Sequence, residues 1–235
     1  ATTRTLGDAP PAPMKTVLGN TLGLKASHLR QLENLYRRRI RPEQIVSPEL
    51  ARDLARLSHE SGRQIGLLIS RLGRVAYVMA GDQQKIEIPR PESYRAAPGR
   101  LMGLRCVHTH LQADEPLSAD DLTDLTLLRL DLMAVLTVRD DGAPHRLLAA
   151  HILPGATKGE PYRRMEPLDP HHPHADCLEL IQALESEMAL ERRPRAAGTR
   201  WERAMLVSVS TSGRRAALDS LAELKELARS CGVDV

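Results

Sequence analysis

Two histidines separated by one residue, His108 and His110, end an apolar run that is typical of a β-strand. Alternate residues of a strand point to the same face, so both imidazoles can reach one point beyond the strand end. Asp121 follows in the first turn of a predicted helix, where its carboxylate can turn back toward the strand. Two histidines and an aspartate around an open position form a workable catalytic zinc shell. Such a zinc lowers the pKa of its bound water to about 7, and the Ser118 hydroxyl can support that water or an oxyanion.

The same residues also permit an interpretation without a metal. The stretch Ser-Ala-Asp-Asp, residues 118–121, satisfies the capping-box pattern, in which a serine and an acidic residue close the start of a helix. A His-x-His pair by itself is a weak indication of a metal site. Residue chemistry alone therefore leaves open a zinc site and a plain strand followed by a capped helix.

The elements that must position these residues follow from hydrophobic periodicity. Two helices are predicted in residues 24–40 and 46–62, capped by Ser27 and Ser47. The runs QIGLLIS and RVAYVMAG predict a hairpin, KIEIP predicts a third strand, and LMGLRCVHTH predicts a strand that ends at the histidines. Further elements are a helix from SADDL, strands in AVLTVRD and RLLAAHILP, and a helix in DCLELIQALESEMALERR. The predicted fold is α/β, a mixed sheet flanked by helices.

Changes in composition along the chain predict four segments. Residues 1–24 are interpreted as a flexible leader, 25–193 as the α/β domain, and 194–200 as a linker. Residues 201–235 contain a strand, a helix and a short final strand, which predicts the truncated β-α-β start of a second domain.

Composition excludes several classes of function. Hydrophobic residues make up 42% and charged residues 27%, the balance of a globular protein, and no apolar run approaches the roughly 18–20 residues of a membrane span. The N-terminal segment lacks the apolar core of a signal peptide, so a cytoplasmic location is expected. The 2% aromatic content argues against a single-strand platform built on base stacking.

A cluster of four arginines lies at the end of the first predicted helix, in LYRRRIR: Arg37, Arg38, Arg39 and Arg41. One interpretation is a solvated face whose cations complement the C-terminus of the helix. The other is contact with RNA phosphates, which would supply affinity independent of sequence.

The spacing His-x-His, seven residues, Ser, two residues, Asp resembles the signature of JAMM (MPN-plus) metalloproteases and of the related RadC proteins. The resemblance implies that His108, His110 and Asp121 bind zinc, that Ser118 assists the oxyanion, and that a peptide or protein is a possible substrate. The usual proline after the second histidine is replaced here by Leu111.

The catalytic base of that family is also missing from its expected place. It is a glutamate three residues before a Gly-Leu-Leu-like strand, and here that position holds Arg63, followed by Gln64. Neither side chain can take a proton from zinc-bound water as a glutamate does. The resemblance thus favours a metal shell without peptidase chemistry. An active zinc-dependent isopeptidase or metallohydrolase is the alternative, with Glu60, one helical turn earlier, as the replacement base.

Nearly the whole chain after the leader resembles the N-terminal region of bacterial HflX-type ribosome-associated GTPases. The resemblance is carried by residues 19–25, 35–55, 62–69, 108–133, 201–210 and 220–235. It implies the ribosome and its RNA as partners of the full-length protein. The sequence contains no G-x-x-x-x-G-K-[ST] phosphate loop, so GTP and magnesium are expected only in a G domain outside these residues. This chain is therefore not expected to be catalytic by itself, and a metal-free module that contacts ribosomal RNA is a further alternative.

Overall fold

The structure is a computed structural model that describes residues 16–91, 94, 99–155, 159–172, 175–191, 202–203, 205–207, 214–230 and 233–234. The chain divides into two compact units, Ala1–Arg192 and Arg193–Val235. Strands of the first unit are β1 (Leu18–Gly19), β2 (Ile65–Ser70), β3 (Val75–Ala80), β4 (Leu104–His110), β5 (Leu132–Val138), β6 (Pro144–Ile152) and β7 (Tyr162–Arg164). Its helices are α1 (Ala26–Leu35), α2 (Pro48–Ser61), α3 (Ala119–Leu128) and α4 (Cys177–Glu191).

The seven strands form one mixed sheet in the order β1-β3-β2-β4-β5-β6-β7. The pairs β1–β3 and β4–β5 are parallel, and the other four neighbouring pairs are antiparallel. The α/β class and the β2–β3 hairpin predicted from the sequence are confirmed. Residues 16–24 of the predicted leader include β1, and residues 1–15 and the predicted linker lie outside the described residues.

Side-chain alternation divides the sheet into two apolar faces. On one face, residues such as Leu67 and Val107 pack in a cluster with buried residues of α1, α2 and α4. On the other face, Leu68 and Cys106 pack in a second cluster with α3. Strand β4 lies in the middle of the sheet and all of its residues are buried, so its side chains reach both clusters.

The helix starts follow local chemistry to different degrees. The Ser47 hydroxyl accepts the Leu50 amide at 3.3 Å and Pro48 occupies the first turn, so the predicted start of α2 is confirmed. The Ser27 cap is wrong, because α1 already begins at Ala26 after the extended Lys25, without a side-chain cap.

The strand predicted in KIEIP is also wrong. Residues 85–89 belong to no strand or helix. The chain turns back tightly after β3, where the amide of Asp82 donates to the carbonyl of Lys85 at 2.9 Å. This turn carries Ile86 across the α3 face of the sheet, over Gly66, instead of along the sheet edge.

An ion-pair network ties the β2–β3 turn to the start of β5 and to α4. The Arg71 guanidinium donates to Asp131 at 2.7 and 2.9 Å and to Glu185 at 2.8 and 3.2 Å. Hydrogen bonding to Asp131 raises the pKa of Arg71 despite its partial burial, and hydrogen bonding to Arg71 lowers the pKa of Glu185. Both shifts indicate that the folded structure favours the charged forms of Arg71 and Glu185.

Glu185→Gln is expected to lower the free energy of unfolding by about 1 kcal/mol at pH 7, because Arg71 loses one charged partner. The folded-state pKa of Glu185 lies below its ordinary value of 4.5, so the stabilisation is present above pH 4.5 and is lost as the pH falls through the folded-state pKa. Urea unfolding of both proteins from pH 7 downward should show the two curves converging at acid pH. A constant difference at every pH would contradict this, and the exposed Glu187→Gln on the same helix is the matched control.

The second unit is described over its strands β8 (Glu202–Arg203) and β9 (Val233–Asp234) and the helix α5 (Arg214–Ser230) between them. The two strands pair in parallel, so the segment is a β-α-β arrangement. None of the helices in the described part of the chain combines the length and the apolar character needed to cross a membrane.

Candidate metal centre

The two histidines are positioned by the central strand β4. Gly66 of β2 pairs with His108, and alternation places His108 and His110 on the face that α3 covers. Between them, Thr109 faces the opposite side, where its hydroxyl contacts Ser58 of α2 at 2.8 Å and accepts the Ile65 amide at 2.9 Å. These bonds fix the backbone of β4 between the two imidazoles.

The third residue of the site, Asp121, is positioned by the start of α3. The Ser118 hydroxyl accepts the Asp121 amide at 3.1 Å, and Asp121 Oδ2 accepts the Ser118 amide at 2.7 Å. The capping box that the sequence allows is therefore formed. It also holds the Asp121 carboxylate against the histidines, so the cap and the histidine cluster are parts of one arrangement.

The three side chains converge on one another in the interior. Asp121 Oδ1 lies 3.0 Å from His108 Nε2, and Asp121 Oδ2 lies 3.5 Å from His110 Nε2. One ligand atom from each residue lies within 4.8 Å of the others, and all three residues are buried. Zinc bonds of about 2.0–2.1 Å in tetrahedral geometry place neighbouring ligand atoms about 3.3 Å apart. The spacing of these three residues therefore fits a metal ion.

Unpaired nitrogens give a second indication of a metal. His108 Nδ1, His108 Nε2 and His110 Nδ1 are buried and have no hydrogen-bond partner among the described residues. The nearest acceptor to His108 Nε2 is Asp121 Oδ1, at 3.0 Å in an ion-pair contact. Because buried polar atoms are almost always paired, a bound cation at His108 Nε2 is a direct explanation for that orphaned atom.

The charge state of Asp121 suits a ligand. Burial alone would raise the pKa of the carboxyl, but the contacts with His108 and His110 and the amide of Ser118 outweigh burial. The pKa of Asp121 consequently lies well below the usual range of an aspartate. The residue is a carboxylate at neutral pH, which is the form that binds cations.

A second carboxylate stands behind one of the histidines. Glu115 Oε1 lies 3.5 Å from His110 Nδ1, on the opposite side of the ring from Asp121. Histidines that bind metals commonly direct their other nitrogen toward a carboxylate, which orients the ring. Sequence reasoning missed Glu115, since nothing in its spacing marks a residue of the strand–helix loop as a partner of His110.

A cleft of about 450 Å³ opens beside His110 and Asp121. His110, Ser118 and Asp121 line it, together with side chains from three segments: Gln64; Gln84, Lys85, Ile86, Glu87, Ile88 and Arg90; and Asp120, Thr123 and Asp124. Gly66 makes room for this arrangement, because a Cβ there would approach Ile86 to 2.7 Å and His108 to 3.3 Å. The metal site can therefore receive a ligand from one side.

The three residues at or near the position where the family has its catalytic glutamate differ in whether they line the cleft. Arg63 donates to backbone carbonyls of Asn20 and Gly81 at 2.8 and 3.2 Å, which binds the chain before α1 to the end of β3. Gln64 is buried and lines the cleft. Glu60 pairs with Arg56 at 3.0 Å and does not line the cleft. Of these three residues, only Gln64 borders the candidate centre.

The cysteine next to the histidines contributes no ligand. Cys106 is fully buried on the same face as His108, and burial raises the pKa of its thiol well above the ordinary value. In the described part of the chain, Cys106 is not among the residues whose ligand atoms converge at the candidate centre.

The arginine cluster lies just after α1, and all four of its side chains are exposed. Arg38 forms an ion pair with Asp53, and Arg39 donates to the carbonyls of Tyr36 and Arg38. Within the described residues, Arg37 and Arg41 form no ion pair. Two of the four guanidinium groups are therefore held by the fold, and two are available to a partner.

Comparisons of the chain with protein-family models, with curated proteins and with solved structures find no match.

Proposed function

We propose that this chain is a JAMM-like, zinc-binding accessory region of an HflX-type ribosome-associated GTPase, and that its metal centre binds a ligand without hydrolysing it. The observation that carries the metal centre is the convergence of His108, His110 and Asp121 around orphaned buried nitrogens. The ribosomal assignment rests on the sequence resemblance and on the exposed arginines after α1.

The residues at the proposed metal centre would have different roles. His108, His110 and Asp121 would hold the ion, and Glu115 would orient His110 from behind. When bound, zinc supplies a Lewis acid at an open coordination position. Ser118, whose hydroxyl accepts from Asp121, has its own proton available for a group in the cleft.

The absence of hydrolysis is inferred from the residues beside the metal ligands. Arg63 is engaged with backbone carbonyls, and the carboxamide of Gln64 has no basic group at neutral pH. Glu60, the replacement base considered from the sequence, forms an ion pair with Arg56 at 3.0 Å and is not among the residues that line the cleft. Without one of these three residues as a general base, the centre is expected to hold a ligand on the metal and not to activate water for hydrolysis.

One observation favours an active metallohydrolase as a second candidate. Asp124 lines the cleft one helical turn after Asp121, and burial, with the nearby charges of Asp121 and Asp120, raises its pKa. A carboxyl with a raised pKa in a cleft is a candidate general base. Cleavage of an isopeptide-linked substrate by the zinc-loaded chain, lost in Asp124→Asn with zinc content unchanged, would establish this alternative and overturn the proposed lack of hydrolysis.

Binding to ribosomes is expected to depend on the two available arginines. Replacing Arg37 and Arg41 together by alanine should weaken co-sedimentation with ribosomes at low salt. The slope of log affinity against log salt concentration should also become shallower, by about one for each phosphate that the protein no longer neutralises. The control is Arg52→Ala, an exposed arginine on α2 at 3.9 Å from Glu49. Ribosome binding that is equal in all three proteins would contradict the RNA contact. Binding that survives His108→Ala unchanged would separate this contact from the metal centre.

A further inference from the structure

We propose that Gln64 is a ligand-binding residue, and that the cleft beside the metal centre takes a carboxylate: one oxygen on the metal, the other accepting the Gln64 amide. The inference rests on the proposed metal centre and adds to it the chemical class of the ligand. Its basis is a buried donor with no partner among the described residues, located on the same strand face as the two histidines.

The position of Gln64 is fixed by its backbone. The backbone N–H of Gln64 donates to the backbone carbonyl of Asp82, and the backbone carbonyl of Gln64 accepts the N–H of Gly81, both at 2.8 Å. These two bonds tie the residue, which lies immediately before β2, to the end of β3. Gly66, two residues later, pairs with His108. Alternation therefore places Gln64 on the face of His108 and His110, and it lines the cleft with His110.

The side chain of Gln64 is not satisfied by the fold. Gln64 is 1% exposed, and its Nε2 has no hydrogen-bond partner in the described part of the chain. Leaving a buried amide donor unpaired is destabilising, and an apolar side chain of similar size would avoid that cost. A donor kept in this state beside a metal site is explained if its partner is a ligand that arrives in the cleft.

A carboxylate is the ligand that satisfies both parts of the site. An open zinc position takes an oxygen ligand, and a glutamine amide donates to a second oxygen bonded to the same carbon. Lys85 and Arg90, both exposed, line the same cleft with the carboxylates of Glu87, Asp120 and Asp124, and Lys85 lies 3.6 Å from Asp120. The attraction for an anion is therefore assigned to the metal and the Gln64 donor, not to the net charge of the cleft. A free peptide C-terminus or another small carboxylic acid has this chemistry.

The test is a titration of the cobalt-loaded chain with N-acetylglycine, followed by the visible absorption of cobalt(II). Wild type should bind N-acetylglycine, and Gln64→Met, which keeps the size and removes the donor, should raise the dissociation constant about tenfold or more. Gln64→Glu should raise it further, because a carboxylate in place of the amide donor repels the ligand. The affinity for cobalt should be unchanged in Gln64→Met, and its melting temperature without metal or ligand should equal or exceed that of wild type.

Matched controls make the result specific. Thr123→Val changes another residue of the cleft, whose hydroxyl already donates to the Ala119 carbonyl at 2.7 Å, and should leave N-acetylglycine binding unchanged. The neutral N-acetylglycinamide should bind more weakly than N-acetylglycine.

Several outcomes would overturn the role of Gln64. They are equal dissociation constants in wild type and Gln64→Met, equal binding of the neutral amide, no binding of N-acetylglycine to the cobalt-loaded wild type, or a lower cobalt affinity in Gln64→Met. Failure of wild type to bind cobalt would instead overturn the metal centre itself, and the Gln64 inference with it.

Discussion

The purified wild-type chain is expected to contain about one zinc per molecule, and His108→Ala to contain none. His108 would supply one of the three proposed ligands. Removal of an outer-shell partner alone costs about 10- to 100-fold in metal affinity, so loss of a ligand should cost more than about a hundredfold. Elemental analysis after dialysis measures the content. Zinc at about a hundred times its dissociation constant should also stabilise the wild type by about 2.7 kcal/mol, visible as a higher melting temperature.

His171→Ala is the matched control for zinc content. It removes an exposed histidine from the loop before α4, which is rich in residues that can bind metals, and should leave the zinc content unchanged. Loss of zinc in this variant would show that the metal is bound by that loop and not by His108, His110 and Asp121. Absence of zinc in every protein, including after incubation with zinc salts, would reduce His108, His110 and Asp121 to a buried ion-pair cluster beside a helix cap.

The second large effect is expected at Asp131, which is 1% exposed and joins two parts of the fold. Its carboxylate accepts both the Arg71 guanidinium and the Gly103 amide, the latter at 2.8 Å. Asp131→Ala should lower the free energy of unfolding by about 3 kcal/mol, because Arg71 loses the more buried of its two charged partners and the Gly103 amide loses its acceptor. Urea unfolding followed by circular dichroism provides the measurement.

Two further variants separate the ion pair from a general loss of charge. Asp141→Ala removes an exposed carboxylate that lies 3.4 Å from Arg139 and accepts the Ala143 amide at 2.9 Å, and it should lower the stability by no more than about 1 kcal/mol. In the double variant of Arg71 and Asp131, the loss should be smaller than the sum of the single losses, because neither charge is left alone. Additive losses would show that the pair contributes no coupling.

The sequence predicted those parts of the fold that depend on local pattern. Alternation and a short turn identified the β2–β3 hairpin, and Ser47 with Pro48 identified the start of α2, because a cap acts within about four residues. Residues 85–89 have the composition of a strand, but their path depends on the turn at Asp82 and on the space over Gly66. Such long-range packing leaves no trace in a window of a few residues.

The candidate site divides in the same way. The spacing of the histidines and of Asp121 encodes a strand end followed by a helix start, so their approach to one another was predictable. The contact of Glu115 with His110 depends on the path of the strand–helix loop, and the entry of Gln64 into the cleft depends on the pairing of β2 with β4. Both require the assembled sheet, and the sequence alone indicated neither.

The capping box at the start of α3 has a consequence for regulation. The carboxylate of Asp121 closes the first turn of the helix and is also the proposed ligand, so unwinding that turn would withdraw a ligand from the ion. If the ion binds, thermodynamic linkage requires the effect to be mutual. Metal occupancy would then resist fraying of α3, and a partner that unwinds the start of α3 would weaken metal binding. A binding event elsewhere on the chain that unwinds the first turn of α3 would in this way lower the affinity of the site for the ion and could release it.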